Sequence, residues 1–349
     1  MKIETFFIVA IFISIVFIFS SCAQRIYRVA YPTLTDGKYD SEFPYKSGST
    51  ELLKIAETIR KITSIAYYKS YIFTKENPVV YSDLKNGAFL QKSVKETVYN
   101  NSVIGTGTVL YFRENRVLLL TCAHVVDFPD TTITYFRNPE TGITNFIQSI
   151  SIKQRQNNFV AEFPERGLLE ILAIDKSMDL AILGKQFEKS TPVYIKTFEY
   201  PLGSASELEW GSFVYLLGFP KGYRMITKGI VSQPNRDKNH GFLIDALFNH
   251  GFSGGIVLAI RDGVPNFELV GIATSVSANF KYSLKPSPDI DQTSFDPRVP
   301  YKGEIYVDTE KQINYGITFI ISIESVVDFL KKNQPHLLKK GYDLRYLYQ

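Results

Sequence analysis

The stretch Asp245-Ala-Leu-Phe-Asn-His-Gly-Phe-Ser-Gly-Gly-Ile-Val-Leu-Ala-Ile260 decides how this 349-residue chain is read. Ser253 sits among Gly251, Gly254 and Gly255, three glycines in five residues. That density predicts a tight, partly left-handed turn in which a hydroxyl and backbone N–H groups converge without Cβ obstruction. Acyl transfer needs that arrangement: a nucleophile, and donors about 3 Å from the oxygen on which negative charge develops. Ile256–Ile260 reads as a short buried strand that fixes the turn.

The letters Gly251-x-Ser253-x-Gly255 also spell the elbow of α/β-hydrolases, which requires a helix directly after the serine and an acid and a histidine later in the chain. Here a β-rich run follows, ended by the turn signal Arg261-Asp-Gly263, and the only later histidine is His336 in a charged tail. An esterase of that class is set aside on chain order. Upstream, Leu118-Leu-Leu-Thr-Cys-Ala-His124-Val-Val-Asp127 is an apolar strand running into a histidine, and Ser177-Met-Asp179-Leu-Ala-Ile-Leu183 places an acid at the start of another. The order His124, Asp179, Ser253 is that of chymotrypsin-like enzymes rather than subtilisins.

With these residues the chain resembles the trypsin-like serine endopeptidases of the bacterial HtrA/Deg type. Further segments recur in order: Gly105-Thr-Gly107 before the histidine, Pro201–Pro220 at the opening of a second barrel, Lys228-Gly-Ile-Val-Ser232, Leu269-Val-Gly-Ile-Ala273 and Tyr315–Ser322. Together they cover about residues 60–332. The resemblance implies an all-β fold of two six-stranded antiparallel barrels with the active site between them, plus an N-terminal and a C-terminal helix. It implies hydrolysis of peptide bonds in proteins or peptides through an acyl-enzyme, with no cofactor or metal.

The residue types supply the mechanism. A serine hydroxyl is a weak nucleophile at neutral pH and needs a base, for which His124 is suited. An acid on the other ring nitrogen holds the tautomer. Asp175, Asp127 and Glu170 are alternatives, and Asp179 is preferred because its Asp-Leu-Ala-Ile-Leu context resembles the family's. The backbone N–H groups of Gly251 and Ser253 are expected to form the oxyanion hole. By resemblance Thr274 bonds Asp179, Leu247 lies at the base of the primary specificity pocket and Val276 on its wall, which gives an apolar preference; Leu247 as plain core is the competing reading. Three positions depart from the family pattern: His250, Phe252 and Ile256. The bulky 250–252 segment raises a second expectation, a loop collapsed until a substrate or partner orders it, and a protein-binding or chaperone role with gated or lost activity.

At the N-terminus, Thr5–Phe19 is a nearly continuous apolar run, too short to span a membrane comfortably and typical of a signal-peptide core. Phe19-Ser-Ser-Cys22 resembles a lipoprotein cleavage box, so residues 1–21 read as a signal peptide and Cys22 as the lipidated first residue of an envelope-anchored chain. The competing readings are a secretory signal with an incidental cysteine and an uncleaved anchor. Of the two cysteines this leaves Cys122 alone, a buried small hydrophobe beside His124. No disulfide staples the chain, so its core must suffice; 349 residues at 45% hydrophobic content allow two packed sub-domains.

Residues 22–50 are polar and without period, a tether. Apolar spacing predicts a helix over Glu51–Thr63, a first strand over Ile65–Phe73, a polar insertion over Thr74–Glu96 and two strands over Val103–Thr121 joined at Arg113–Arg116. Hairpins fill 131–165 around a turn at Asn138–Gly142, and Lys189–Glu207 links the barrels, which occupy about 60–188 and 200–335. Lys281–Lys311 shows little pattern and reads as a rim insertion governing substrate access. Ile323–Lys332 closes the domain as an amphipathic helix. Residues 336–349 form a tail whose length leaves no room for a PDZ domain. Net charge is +4, without a dense basic run, so nucleic-acid binding is not expected.

Overall fold

The computed structural model describes residues 35–138, 142–286, 298–303 and 305–348. The expected signal segment, Cys22 and the first part of the tether lie outside the described residues.

The chain builds two closed antiparallel barrels of six strands each. Helix α1 (Ser49–Ala56) leads into β1 (Ile59–Ile72). The helix expected over 51–63 stops early because Thr58 turns its hydroxyl onto the Ile55 carbonyl at 2.7 Å. Beyond it, Ile59 to Ser70 bury nearly every second residue, the strand period. Two short helices, α2 (Tyr81–Lys85) and α3 (Phe89–Lys92), interrupt the expected polar insertion. Then come β2 (Lys95–Arg113), β3 (Arg116–Thr121), α4 (Ala123–Val126), β4 (Thr131–Asn138), β5 (Gly142–Phe159), β6 (Leu168–Asp175) and β7 (Leu180–Gln186). The sheet runs β1-β2-β3-β7-β6-β5 and closes through β1–β5 pairing, with β4 added at the edge of β5. Glu114 and Asn115 take positive φ in the β2–β3 turn, as a two-residue hairpin connection requires.

After a segment without strands come β8 (Phe213–Gly218), β9 (Met225–Gln233), β10 (Phe242–Ile244), β11 (Ile256–Ile260), β12 (Phe267–Pro286) and β13 (Ile305–Ser322), closing in the order β10-β13-β12-β11-β8-β9. Every residue of β11 is buried, as its apolar run requires. One hydrophobic core runs through both barrels, from Ile59 and Leu118–Leu120 to Val257 and Ile272. The part of Lys281–Lys311 that is described is regular: β12 and β13 stay paired from Ala278↔Ile313 to Pro286↔Ile305, well past the barrel. Its strand character rests on this cross-strand pairing, which local composition did not carry.

Both ends of the described chain are bound to the barrels. In the expected tether, Tyr39 bridges to Arg261, donates to Glu268 at 2.7 Å and lies under the Arg261 guanidinium, while the Asp40 amide donates to the Ile260 carbonyl. Helix α5 (Ile323–Lys339) runs a full turn and more beyond Lys332, and Pro335 sits inside it. The expected tail packs against the first barrel: Tyr342 and Leu344 are buried, Tyr342 meets the Tyr111 ring edge-on, and the Tyr346 hydroxyl donates to the Leu110 carbonyl.

Candidate active site

β3 ends at Thr121, and α4 carries His124 out of the core with its side chain 44% exposed. The β6–β7 turn brings Asp179 beneath it. Asp179 holds a left-handed φ of 54°, a conformation Asp tolerates better than most residues. Its carboxylate lies 2.8 and 3.0 Å from His124 Nδ1 and accepts the His124 backbone N–H at 2.9 Å. Its own carbonyl accepts from the Ala123 N–H at 3.1 Å. Thr274, from β12 of the second barrel, donates its hydroxyl to the other side of the same carboxylate. Burial alone would raise the Asp179 pKa, but the hydrogen bond and charge of His124 and the hydroxyl of Thr274 outweigh it and hold the carboxyl below its ordinary value. Asp179 is therefore ionised at neutral pH.

The other acids are engaged elsewhere. Asp175 accepts from Ser177 at 2.6 Å and from Lys332 at 3.1 Å, which lowers its pKa to about 2. Asp127 pairs with Lys176 at 2.8 Å, and Glu170 with Lys340.

The turn around Ser253 is fixed from both barrels. Gly251 has φ 108° and Gly254 φ 82°, both open only to glycine in practice. A Cβ on Gly251 would stand 2.2 Å from the Phe219 carbonyl oxygen, and one on Gly254 2.1 Å from that of Thr106. Phe252 is buried against Phe248 and plugs the loop into the second barrel, an apolar anchor at a position that departs from the family pattern. Thr106, fully buried, joins this turn to the first barrel. Its hydroxyl donates to the Gly251 carbonyl at 2.7 Å and accepts the Phe219 N–H at 2.9 Å, and its own N–H donates to the Ser253 carbonyl at 2.8 Å. Sequence reading passed over Thr106 as a site residue, although the Gly105-Thr-Gly107 motif signalled the position.

The His250 carbonyl accepts from the Lys221 N–H at 2.8 Å. A trans peptide points its C=O and N–H in opposite directions, so this bond turns the Gly251 N–H away from Lys221. Among the described residues, neither the Gly251 N–H nor the Ser253 N–H has an acceptor within the protein. The loop expected to be collapsed is held by hydrogen bonds on every side, with two donors left over. The Ser253 hydroxyl donates to the Thr274 carbonyl at 3.2 Å and makes no hydrogen bond to His124.

Cys122, His124 and Asp179 cluster closely enough to offer three ligand atoms to a metal ion. The Cys122 thiol is fully buried, and burial, with Asp179 beside it, pushes its pKa well up, which favours the protonated form. It packs with its sulfur 3.4 Å from the Ala273 carbonyl, as a small hydrophobe.

Two barrels, a histidine and acid from the first, and a serine turn from the second are the plan of one peptidase class, and residues 105–272 match the family model of the trypsin-like peptidase domain. That match spans 168 of the 349 residues. The fold is the chymotrypsin-like pair of barrels. No curated protein matches the sequence. The expected specificity residues Leu247 and Val276 differ in exposure. Leu247 is 58% exposed, so it is not core. It lies in the segment between β10 and the Ser253 turn, where no strand covers it. Val276 is half-buried against the second barrel.

Proposed function

We propose that this chain is a serine endopeptidase in which His124, Asp179 and Ser253 act together. The observation that carries the reading is the bonded series His124–Asp179–Thr274–Ser253 across the barrel junction, beside two unused backbone N–H groups. A rotation of the Ser253 side chain, from the Thr274 carbonyl towards His124, begins the reaction. His124 takes the hydroxyl proton through Nε2 as Ser253 Oγ attacks the scissile carbonyl, and Asp179 on Nδ1 stabilises the imidazolium. The Gly251 and Ser253 N–H groups receive the oxyanion, each worth about 3–4 kcal/mol in the transition state. His124 then protonates the leaving amine, and water attacks the acyl-enzyme with His124 again as base. Thr274 holds Asp179 and with it the ring.

The exposed Leu247 beside the Ser253 turn supports an apolar residue on the acyl side of the cut bond. The apolar run at Thr5–Phe19 and the box ending at Cys22 support export and lipid anchoring in a bacterial cell envelope, with envelope proteins as substrates. No helix among the described residues is long and apolar enough to cross a membrane. Incorporation of a labelled fatty acid into the wild type that is lost in Cys22→Ala would support this, and a wild type that takes up no label would count against it.

A resting, gated enzyme is the second reading, and the Ser253–Thr274 hydrogen bond favours it. A fluorophosphonate probe distinguishes the two. Labelling of the wild type that disappears in Ser253→Ala and His124→Ala supports an assembled, base-activated serine. A folded wild type that stays unlabelled supports the gated form.

A further inference from the structure

We propose that the β12–β13 ribbon beyond the second barrel is a substrate-binding surface for extended, apolar polypeptide, reaching out from the cleavage site along β12. The inference rests on the endopeptidase reading of Ser253.

One strand joins the two places. β12 supplies Thr274, which donates to Asp179 and whose carbonyl accepts from Ser253, and then runs on without a break to Pro286. Twelve residues at roughly 3.3 Å each carry it about 40 Å from the site. Along one edge β12 is paired with β13, with irregularities at Thr274 and Ser277, and without interruption from Ala278 to Pro286. Along the other it pairs with β11 only as far as Ile272, and the last bonds on that edge go to the serine turn itself, with Gly254 N–H on the Ala273 carbonyl and Ala273 N–H on Gly255. From Thr274 onward no described strand pairs with this edge.

The ribbon also has an uncovered face. Opposed residues of an antiparallel pair share a face, so Tyr282, Leu284, Ile305 and Val307 stand together, with Leu284 directly opposite Val307. Their exposures are 72, 72, 57 and 67%. The other face is polar, with Lys285 paired to Asp308 at 2.8 Å. An isolated two-stranded ribbon is marginal in water, and a long unblunted edge beside an apolar face is normally avoided. An extended chain whose scissile bond lies at Ser253 answers both features: its backbone adds to the open edge as a strand, and its alternate apolar side chains flank Tyr282 and Leu284 and extend the apolar face. Continuity of the edge with the serine turn selects this occupant over a partner unrelated to cleavage. Such a site selects unfolded segments, because a folded loop cannot stay extended for that length.

The test compares a four-residue chromogenic peptide with a long unfolded protein such as reduced, alkylated casein, using the full chain. One variant replaces residues 279–312 by Asn-Gly, which closes the paired Ala278 and Ile313 with a two-residue turn. A second, Leu284→Asp with Val307→Asp, keeps the ribbon's length. Expected is a fall of roughly tenfold or more in kcat/KM on the unfolded protein, carried by KM, with the short peptide and the fluorophosphonate labelling as in the wild type and the oligomeric mass by light scattering unchanged. Casein cleavage equal to wild type in the charged variant would overturn the proposal. So would a change in oligomeric mass, which would make the face a contact between copies, or a parallel loss on the short peptide, which would make the ribbon a support for the catalytic loop. A wild type that neither labels nor cleaves the short peptide would instead remove the endopeptidase reading on which the proposal stands.

Discussion

Each barrel extends paired strands beyond its wall, and the two are finished in opposite ways. In the first barrel the outer halves of β1 and β5 are capped by α2, α3 and the segment between them. Tyr71, Phe73, Val79, Phe89, Ile147 and Ile150 form a small separate core there, with Phe89 edge-on to both Tyr71 and Phe73. The β12–β13 ribbon of the second barrel has no cap among the described residues, and its apolar side chains face solvent. A lobe that buries its own apolar residues is stabilised from within. A ribbon that leaves them exposed is built for something that arrives. The side that donates His124 and Asp179 is thus closed, and the side that donates Ser253 is open.

The strongest way to probe that contrast is to hollow out the closed lobe. Phe89→Ala is expected to cost about 3–5 kcal/mol in urea unfolding, because a buried ring is lost and the lobe has little else to refill it. A loss below about 1 kcal/mol would mean that the cap is as loosely held as the ribbon.

The N-terminal clip of the second barrel is the next lever. Asp40 is buried, its carboxylate accepts the Gly263 N–H at 3.1 Å, and desolvation pushes its pKa up to about 6, with Glu42, Asp262 and Asp36 adding to the rise. A folded-state pKa raised above the unfolded value favours the folded state at low pH. The stability linked to Asp40 is present below about pH 4 and is lost as pH rises through about 6. Asp40→Asn is expected to raise stability at pH 8 by up to about 3 kcal/mol and to leave it nearly unchanged at pH 4, read by thermal melts at both pH values. Equal effects at both would contradict the buried charge.

Thr106 couples the barrels, and Thr106→Val leaves the Gly251 carbonyl and the Phe219 N–H without their partner. A destabilisation of about 1–3 kcal/mol is expected. Peptide cleavage is expected to fall further than the stability loss explains, since the oxyanion turn loses its anchor. Unchanged cleavage would show that Phe252 alone fixes the turn. At the small end, Leu284→Ser is expected to shift folding stability by less than about 0.5 kcal/mol, as an exposed side chain does. A larger loss would show that the ribbon face is covered within the folded chain.

What the sequence disclosed follows from how local each feature is. The β2–β3 hairpin, β11 and the order His124, Asp179, Ser253 were legible because each rests on a short run of residues with its own period or turn chemistry. Thr274 was legible through resemblance and stands against Asp179 as that implied. The ribbon was not legible, because Tyr282 and Leu284 become strand only through partners more than twenty residues on. The same holds at the C-terminus, where residues 336–349 were read as a tail. Tyr342 and Leu344 are buried by Tyr111 and its neighbours, more than 200 residues earlier, while Lys332 and Lys340 pair with Asp175 and Glu170. The expected collapse around His250–Phe252 was argued from bulk alone. Phe252 instead packs inward, and the backbone bonds of Thr106 and Lys221 hold the turn.

The central claim is that Ser253, activated by His124, cuts peptide bonds. It is tested most directly by mass spectrometry of an unfolded protein incubated with the wild-type chain, with Ser253→Ala and with His124→Ala. The expected result is a set of new peptides from the wild type, with apolar residues on the acyl side of the cuts, and none from either variant. A folded wild type that yields no peptides, or a Ser253→Ala chain that yields the same ones, would contradict the account.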